Sequence, residues 1–478
     1  MTARAALLID FGSTYTKLRV IDLDGGVIVG AAQGPSTVTT DVNIGLDAAL
    51  GNLERKLGTL PAFRHRLASS SAAGGLAMIT VGLVKELTAE AARLAALGAG
   101  ARLIDAHAYK LTTADAAGIV ARAPDIMLLA GGTDGGNEDT IRWNAAKLAE
   151  AGLTCPVVVA GNRVAADDVA DILRRTGCDV RVCGNVMPEF NVLDVEPARA
   201  AIRDVFIERI VHAKGIDKAA SRFDAVLMPT PAAVMEGARL LAEGTARHPG
   251  MGPLVVVDVG GATTDVHSIA DGAPADGGVI QYGLPEPYAK RTVEGDLGMR
   301  HNARTIVDVT GIDAFSAASD LEAGKIETFL LGIEADVERL PVSDDERAFD
   351  MALASVAVRR AMMRHAGRIE IKQSVTGPVA VQYGKDLSRI DTVIGTGGVL
   401  VHGSEPKQIL RSVLYDEKEP HSLRPKQPNL LIDRAYALYA IGLLAGVEPD
   451  AAMRFAHANI GNMSDQRKEH LHGRSPAA

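Results

Sequence analysis

Val255-Val256-Val257-Asp258-Val259-Gly260-Gly261-Ala262-Thr263-Thr264-Asp265 repeats a segment near the start of the chain, Leu7-Leu8-Ile9-Asp10-Phe11-Gly12-Ser13-Thr14-Tyr15-Thr16-Lys17. Asp, Gly and the second Thr fall in register between the two copies. In each, an aliphatic run reads as a buried strand, and an acidic residue near its end meets a Gly/Ser/Thr turn leading into a second apolar strand. Such a turn brings backbone N–H groups against anionic oxygens, and the Asp can hold a hydrated divalent cation. The pair predicts two phosphate-gripping hairpins that clamp one nucleoside triphosphate between two domains. A single copy would read equally well as a ligand-free β-turn; two in register favour the phosphate reading. A third glycine loop, Asp391-Thr392-Val393-Ile394-Gly395-Thr396-Gly397-Gly398-Val399-Leu400, follows where an adenosine-binding turn is expected.

The rest of the chain is read outward from these loops. Strands are expected near 5–11, 17–23 and 27–33, a helix over 43–57, a strand from 65 to 71 and a helix over 86–98. Residues 119–188 change rhythm: 125–130, 156–160 and 179–182 are short apolar strands separated by helices, the alternation of a parallel sheet. Each ends in a Gly- or Asn-bearing loop, at 131–137, 161–162 and 184–185, where parallel sheets receive ligands and partners. Helices are expected from Val293-Glu294-Gly295-Asp296-Leu297 onward, over 343–374, over 231–242 and over 433–446. The domain division is 1–250 with an insertion at 119–188, 251–432, and a closing helix and tail at 433–478.

The 478 residues exceed one core, and 47% hydrophobic with only 4% aromatic content favours α/β layers packed through small aliphatic side chains. A net charge of −9 without a basic, aromatic-interleaved cluster argues against nucleic acid. Cys155, Cys178 and Cys183 have no metal-site spacing, and with no signal peptide or membrane span the expectation is a cytoplasmic protein.

The order phosphate loop, connecting helix, phosphate loop, adenosine loop and closing helix resembles the superfamily of actin, sugar kinases and seventy-kilodalton heat-shock chaperones. Within it, Leu128–Asn137, Val159-Ala160-Gly161-Asn162 and Arg291–Gly298 are similar to the MutL family associated with glutamate mutase, which shares only a name with the mismatch-repair protein. The resemblance runs over most of residues 5–446. It implies two RNase H-like actin-type ATPase domains with a nucleotide cleft between them and a Rossmann-like insertion in the first. It implies ATP/ADP and Mg²⁺ as cofactors, with Asp10 and Asp258 orienting metal-bound waters and Thr263 stabilising the departing group. Gly12, Ser13, Thr14, Tyr15 and Lys17 would meet the phosphates from one side, and Gly260, Gly261, Ala262 and Thr264 from the other. Gly395, Thr396, Gly397 and Gly398 would accept adenosine, while Glu294 and Asp296 either contact the nucleotide or cap a helix. Ala262 replaces a glycine usual in the chaperones, Lys17 stands where the other copy has Asp265, and no catalytic lysine is evident, which points to slow ATP hydrolysis. The function implied is an ATP-driven reactivating factor for an adenosylcobalamin-dependent mutase, partnering its cobalamin-binding subunit and releasing inactive cobalamin. The alternatives are an ATP-dependent small-molecule enzyme, a kinase or a hydantoinase/oxoprolinase-like amidohydrolase, and a filament former.

Overall fold

The structure, a computed structural model, describes residues 4–12, 15–37, 41–70, 76–213, 224, 227–375 and 377–462. Ser13 and Thr14 of the first loop and the tail beyond 462 lie outside them. The chain divides into two compact units, one of Met1–Gly237, Gly283–Pro287 and Tyr439–Phe455, the other of Ala238–Tyr282, Tyr288–Leu438 and Ala456–Ala478.

The first unit contains two sheets. In one, strands Ala5–Phe11, Tyr15–Asp22 and Val27–Pro35 form an antiparallel meander, and Phe63–Ser70 and Leu227–Pro229 add in parallel beyond Ala5–Phe11. Ala5–Phe11 is buried along its whole length, as a central strand with both faces covered must be. Helix Val42–Leu57 begins where the Asp41 carboxylate accepts the Asn43 N–H. Its Val42, Leu46, Ala49 and Leu53 pack with Leu7, Ile9, Leu18 and Val20 of the sheet. Burying a side chain of this size is worth about 1.5–3 kcal/mol. In helix Leu438–Ala445, Gly442 sits so near helix Thr230–Glu243 that a Cβ there would lie 1.8 Å from the Ala233 carbonyl oxygen.

The other sheet of this unit is parallel throughout, in the order Arg102–Ala108, Ala77–Gly82, Ile126–Leu129, Val157–Val159, Val180–Val182. It therefore takes in two strands that precede residue 119. Helix Glu90–Gly98 packs on it through Ala91, Ala92, Ala95 and Ala96. The loops at the carboxyl ends of its strands are joined by buried polar side chains. Asn162 accepts from Gly135 N and donates to the carbonyls of Gly136 and Asn137, and Asn185 donates to Gly132 O and to Asp134. Asp134 also accepts the Arg163 N–H. Asn162 is fully buried, so its amide serves the loop itself. Asn162→Asp would set a carboxylate oxygen against two carbonyls. Chemical denaturation is expected to show a loss of about 2–4 kcal/mol, and an unchanged midpoint would mean the loops hold without it.

In the second unit the sheet order is Ala289–Glu294, Thr264–Ile269, Leu254–Val259, Thr392–Thr396, Asn429–Asp433, Ile460–Asn462. Helix Asp344–His365 starts with a capping box between Ser343 and Glu346 and buries Phe349, Leu353 and Val358 against Val255 and Val257. A smaller sheet consists of Ile280–Tyr282, Gly377–Tyr383 and Arg368–Ser374.

Three helix expectations are corrected here. Residues 289–294 form a strand paired with Thr264–Ile269, so Glu294 closes a strand, Asp296 lies in a turn, and the next helix begins at Ala303. The helix expected over 343–374 stops at His365, and Arg368–Ser374 is a strand. Asp433 ends a strand, and its carboxylate accepts the N–H groups of Ala437 and Leu438 at the start of helix Leu438–Ala445.

Candidate functional site

In the first unit, Asp10 stands near the end of the central strand with Lys17 directly opposite it across the hairpin. Its Oδ1 accepts from Ser69 Oγ at 3.2 Å and Thr230 Oγ1 at 2.8 Å. Burial pushes the Asp10 carboxyl above its ordinary pKa, although both hydroxyls and the charges of Lys17 and Arg19 favour its ionised form. Its negative charge is therefore under-compensated by the protein, which suits a cation-holding group. Gly12 N donates to Tyr15 O at 3.0 Å, closing the turn, and Tyr15 is 43% exposed. Ser69 and Thr230 escaped the sequence reading because they come from other strands and a helix start, far away in the chain.

In the second unit, Asp258 and Asp265 are opposite one another in the hairpin. The turn between the strands is anchored by its carbonyls. Gly260 O accepts from Met299 N, Gly261 O from Arg300 N and His301 N, and Ala262 O from Asn302 Nδ2. Gly260 N donates to Thr263 O. The N–H groups of Gly261, Ala262 and Thr263 donate to no acceptor among the described residues. Gly298 lies under this turn with no room for a side chain, since a Cβ would be 2.2 Å from Ala262 C. A backbone held by its oxygens with its amides uncommitted is a ready anion cradle.

Beside the turn lies a cavity of about 500 Å³, within the range of small-molecule sites. Its lining includes Gly260, Gly261, Met299 and Arg300 from the hairpin and the segment beneath it, Gly398, Val399 and His402, and Leu340, Pro341 and Asp350. Arg300 and Asp350 make a bidentate pair at 2.9 and 2.5 Å. Fifty residues separate them, so no local pattern announced the pair. Gly397, at φ +100°, passes so close to Val259 that a Cβ would be 2.2 Å from its carbonyl oxygen. That contact aligns strand Thr392–Thr396 and the following Gly398 with the hairpin.

The structure thus brings Gly260, Gly261 and Gly398 to one cavity and treats other candidates differently. Thr264 is fully buried, and its hydroxyl donates to Leu297 O at 2.7 Å; it props the 295–298 turn instead of facing a ligand. Gly395 and Thr396 are buried inside their strand, with Thr396 Oγ1 3.4 Å from Asp433 Oδ2. Glu294 and Asp296 both pair with Arg364, at 2.5 and 2.7 Å. That guanidinium holds Asp296 below its usual pKa, and neither acid caps a helix. No group of three or more His, Cys, Asp or Glu side chains gathers as a metal site among the described residues. No helix among them is long and apolar enough to cross a membrane.

A sequence model of the family described as MutL protein matches residues 6–460. Protein MutL of Clostridium tetanomorphum is 47% identical over 462 residues, covering 94% of this chain and 98% of that one. Among solved structures, the glycerol dehydratase reactivase shares 10% identity at a TM-score of 0.34, covering 92% of this chain and 99% of its own. The activator of the 2-hydroxyisocaproyl-CoA dehydratase from Clostridium difficile shares 10% at 0.29, covering 99% and 100%. At these TM-scores neither structure bears on the fold or activity here.

Proposed function

This chain belongs to the MutL protein family, and on that premise we propose that it is an ATP-dependent reactivating factor for an adenosylcobalamin-dependent mutase such as glutamate mutase. The observation that carries the nucleotide part is the turn at 260–263, its carbonyls tied down and the amides of Gly261, Ala262 and Thr263 uncommitted, next to a cavity of about 500 Å³. In this reading the turn amides take phosphate oxygens, the cavity takes the nucleoside, and Thr263 faces the leaving phosphate. Asp10 in the first unit and Asp258 in the second are the carboxylates that would each be suited to hold a hydrated Mg²⁺ through its waters. Bound Mg²⁺ would neutralise phosphate charge, the chief requirement of phosphoryl transfer. The two nucleotide states then bind the mutase with different affinity, so hydrolysis drives release of inactive cobalamin.

The parallel sheet of the first unit supports a partner surface more than a second nucleotide site. Its loop polar groups are consumed internally, while Arg163 and Phe190 beside them are exposed, Phe190 at 69%. Charge changes at Asp134 or Asn162 would perturb the loops themselves, so exposed neighbours are the informative positions. The test is to incubate glutamate mutase, inactivated with hydroxocobalamin, with this chain, Mg·ATP and fresh adenosylcobalamin. Recovery of activity that requires hydrolysable ATP is expected. Absence of recovery together with ATP turnover stimulated by a sugar or hydantoin would replace the chaperone by a small-molecule enzyme. Failure to bind Mg·ATP in calorimetry would remove the nucleotide reading itself.

A further inference from the structure

Another cavity of the second unit, of about 120 Å³, lies among the loop 274–279, the smaller sheet and the segments 386–388 and 415–426, and shares no lining residue with the cavity beside the 260–263 turn. Its walls are chain segments far apart in sequence, tied together by backbone bonds: Asp386 N donates to Gly272 O, Lys426 N to Ser388 O and Leu423 N to Gly367 O. Two oxygens on residues of the lining, Gln382 Oε1 and Ser422 Oγ, are buried with no hydrogen-bond partner among the described residues. Gln382 is fully buried, and its Nε2 donates to Gly272 O and Gly384 O, both at 2.8 Å. Turning the amide over would set its oxygen against those two carbonyls, so Oε1 is held as an acceptor that lacks a donor. A single structural water needs only about 10–15 Å³, and the space here is several times larger.

The charged residues of the lining are of both signs. Asp386 accepts the N–H groups of Ala275 at 3.1 Å and Ser388 at 2.9 Å and has no ion pair among the described residues. Lys426, exposed, holds its ammonium 5.5 Å from the centre of the Tyr415 ring and likewise has no carboxylate partner among them. Asp276, the remaining charged residue of the lining, pairs with Arg389 at 3.2 Å. A simple cation would suit Asp386 and Gln382 Oε1 but would meet the Lys426 ammonium, and a simple anion would meet Asp386. A molecule carrying both an ammonium and a carboxylate satisfies both. Since a cavity of about 150 Å³ holds benzene, this one accommodates a molecule of roughly six non-hydrogen atoms, the size of alanine. We propose that this cavity binds a small zwitterionic amino acid, its ammonium toward Gln382 and Asp386 and its carboxylate toward Lys426. The site is separate from the nucleotide reading, and its test is made in nucleotide-free protein.

Calorimetric titration with alanine is expected to give a Kd below about 1 mM. Methylammonium and acetate, each carrying one of the two charges, should bind about tenfold more weakly or worse, and Lys426→Met and Asp386→Asn should each raise the Kd for alanine by about tenfold or more. Alanine at a hundred times its Kd should raise Tm by about 5 °C or more, and at that same alanine concentration the rise should be much smaller in either variant. Should Asp386→Asn not fold, Lys426→Met, on an exposed side chain, carries the test alone. Alanine binding that Lys426→Met leaves unweakened would place the amino acid elsewhere and overturn the proposal. Methylammonium or K⁺ binding as tightly as alanine would make this a cation site, and no binding by any of these probes would make it a water-filled cavity; either result overturns the proposal as well.

Discussion

Asp10→Asn is expected to raise the melting temperature of the nucleotide-free protein at neutral pH and to lower Mg²⁺-dependent ATP hydrolysis by about a hundredfold or more. The gain follows from linkage. Burial raises the Asp10 pKa above that of an unfolded Asp, so the folded state prefers the protonated form. Below the unfolded value near 3.8 the group is protonated in both states and costs nothing. As pH rises through the folded pKa the carboxyl must ionise in a buried place, and stability is lost. Asn keeps an Oδ1 to accept from Ser69 and Thr230 and carries no charge to bury. The Tm difference between variant and parent should therefore be positive at pH 7–8 and shrink toward zero as the pH approaches 4. Each kcal/mol recovered corresponds to about 2–4 °C for a unit of this size. Activity falls for the opposite reason, since Asn cannot supply the anionic oxygen that would orient metal-bound water. Scanning calorimetry across pH, with steady-state hydrolysis, checks both halves. A variant that melts lower at pH 7 would show that the ionised form is the one the fold favours.

Arg300→Met should separate stability from nucleotide affinity. Arg300 holds the cavity together in two ways: its N–H donates to Gly261 O at 2.9 Å, and its guanidinium spans both oxygens of Asp350 on helix Asp344–His365. The two side chains are 15% and 11% exposed. Removing the cation leaves a largely buried carboxylate uncompensated, at about 3–5 kcal/mol, seen as a fall in Tm of roughly 10 °C. KM for ATP should rise about tenfold or more, because Arg300 packs over Gly261 of the amide-bearing turn and that turn loosens. Adding Asp350→Leu replaces the orphaned charge by apolar volume and should restore most of the stability without restoring affinity. Recovery of both together would mean that the ion pair is only scaffolding.

What the sequence revealed follows the range of the interactions involved. The hairpins were legible because strand alternation, the acid near the strand end and the glycine turn are adjacent in the chain; which residues stand opposite the acids, Lys17 across from Asp10 and Asp265 across from Asp258, comes from the structure alone. The helix over Thr230–Glu243 was legible through its small apolar repeat. Val293–Leu297 reads as a helix start because Glu294 and Asp296 have helix-initiating chemistry, but their partner, Arg364, lies in a distant helix and the segment ends a strand. The helix ending at His365 was overrun because the charges of Arg368, Glu370 and Lys372 continue a spacing that a strand also permits. In the candidate site, Gly260 and Gly261 were legible as turn residues, but Gly395 lies inside a strand and Thr264 faces inward, a matter of strand parity at the hairpin. Arg300, Asp350, Ser69 and Thr230 were invisible as site residues, since each acts on a group tens or hundreds of residues away.

The strand order of the first unit has a consequence for how the chain is born. Strand Leu227–Pro229 pairs in parallel with Phe63–Ser70, and every strand of the all-parallel sheet falls between them in the chain. At a synthesis rate of roughly 5–20 residues per second, Phe63–Ser70 waits on the order of ten to thirty seconds for its outer neighbour. Through that interval its open edge is a template for unwanted strand addition. The parallel sheet, whose pairings all close within the intervening segment, can form during the wait and shorten the loop that must finally be closed. Translation slowed just before residue 227 would lengthen the exposure, and translation slowed after it would not.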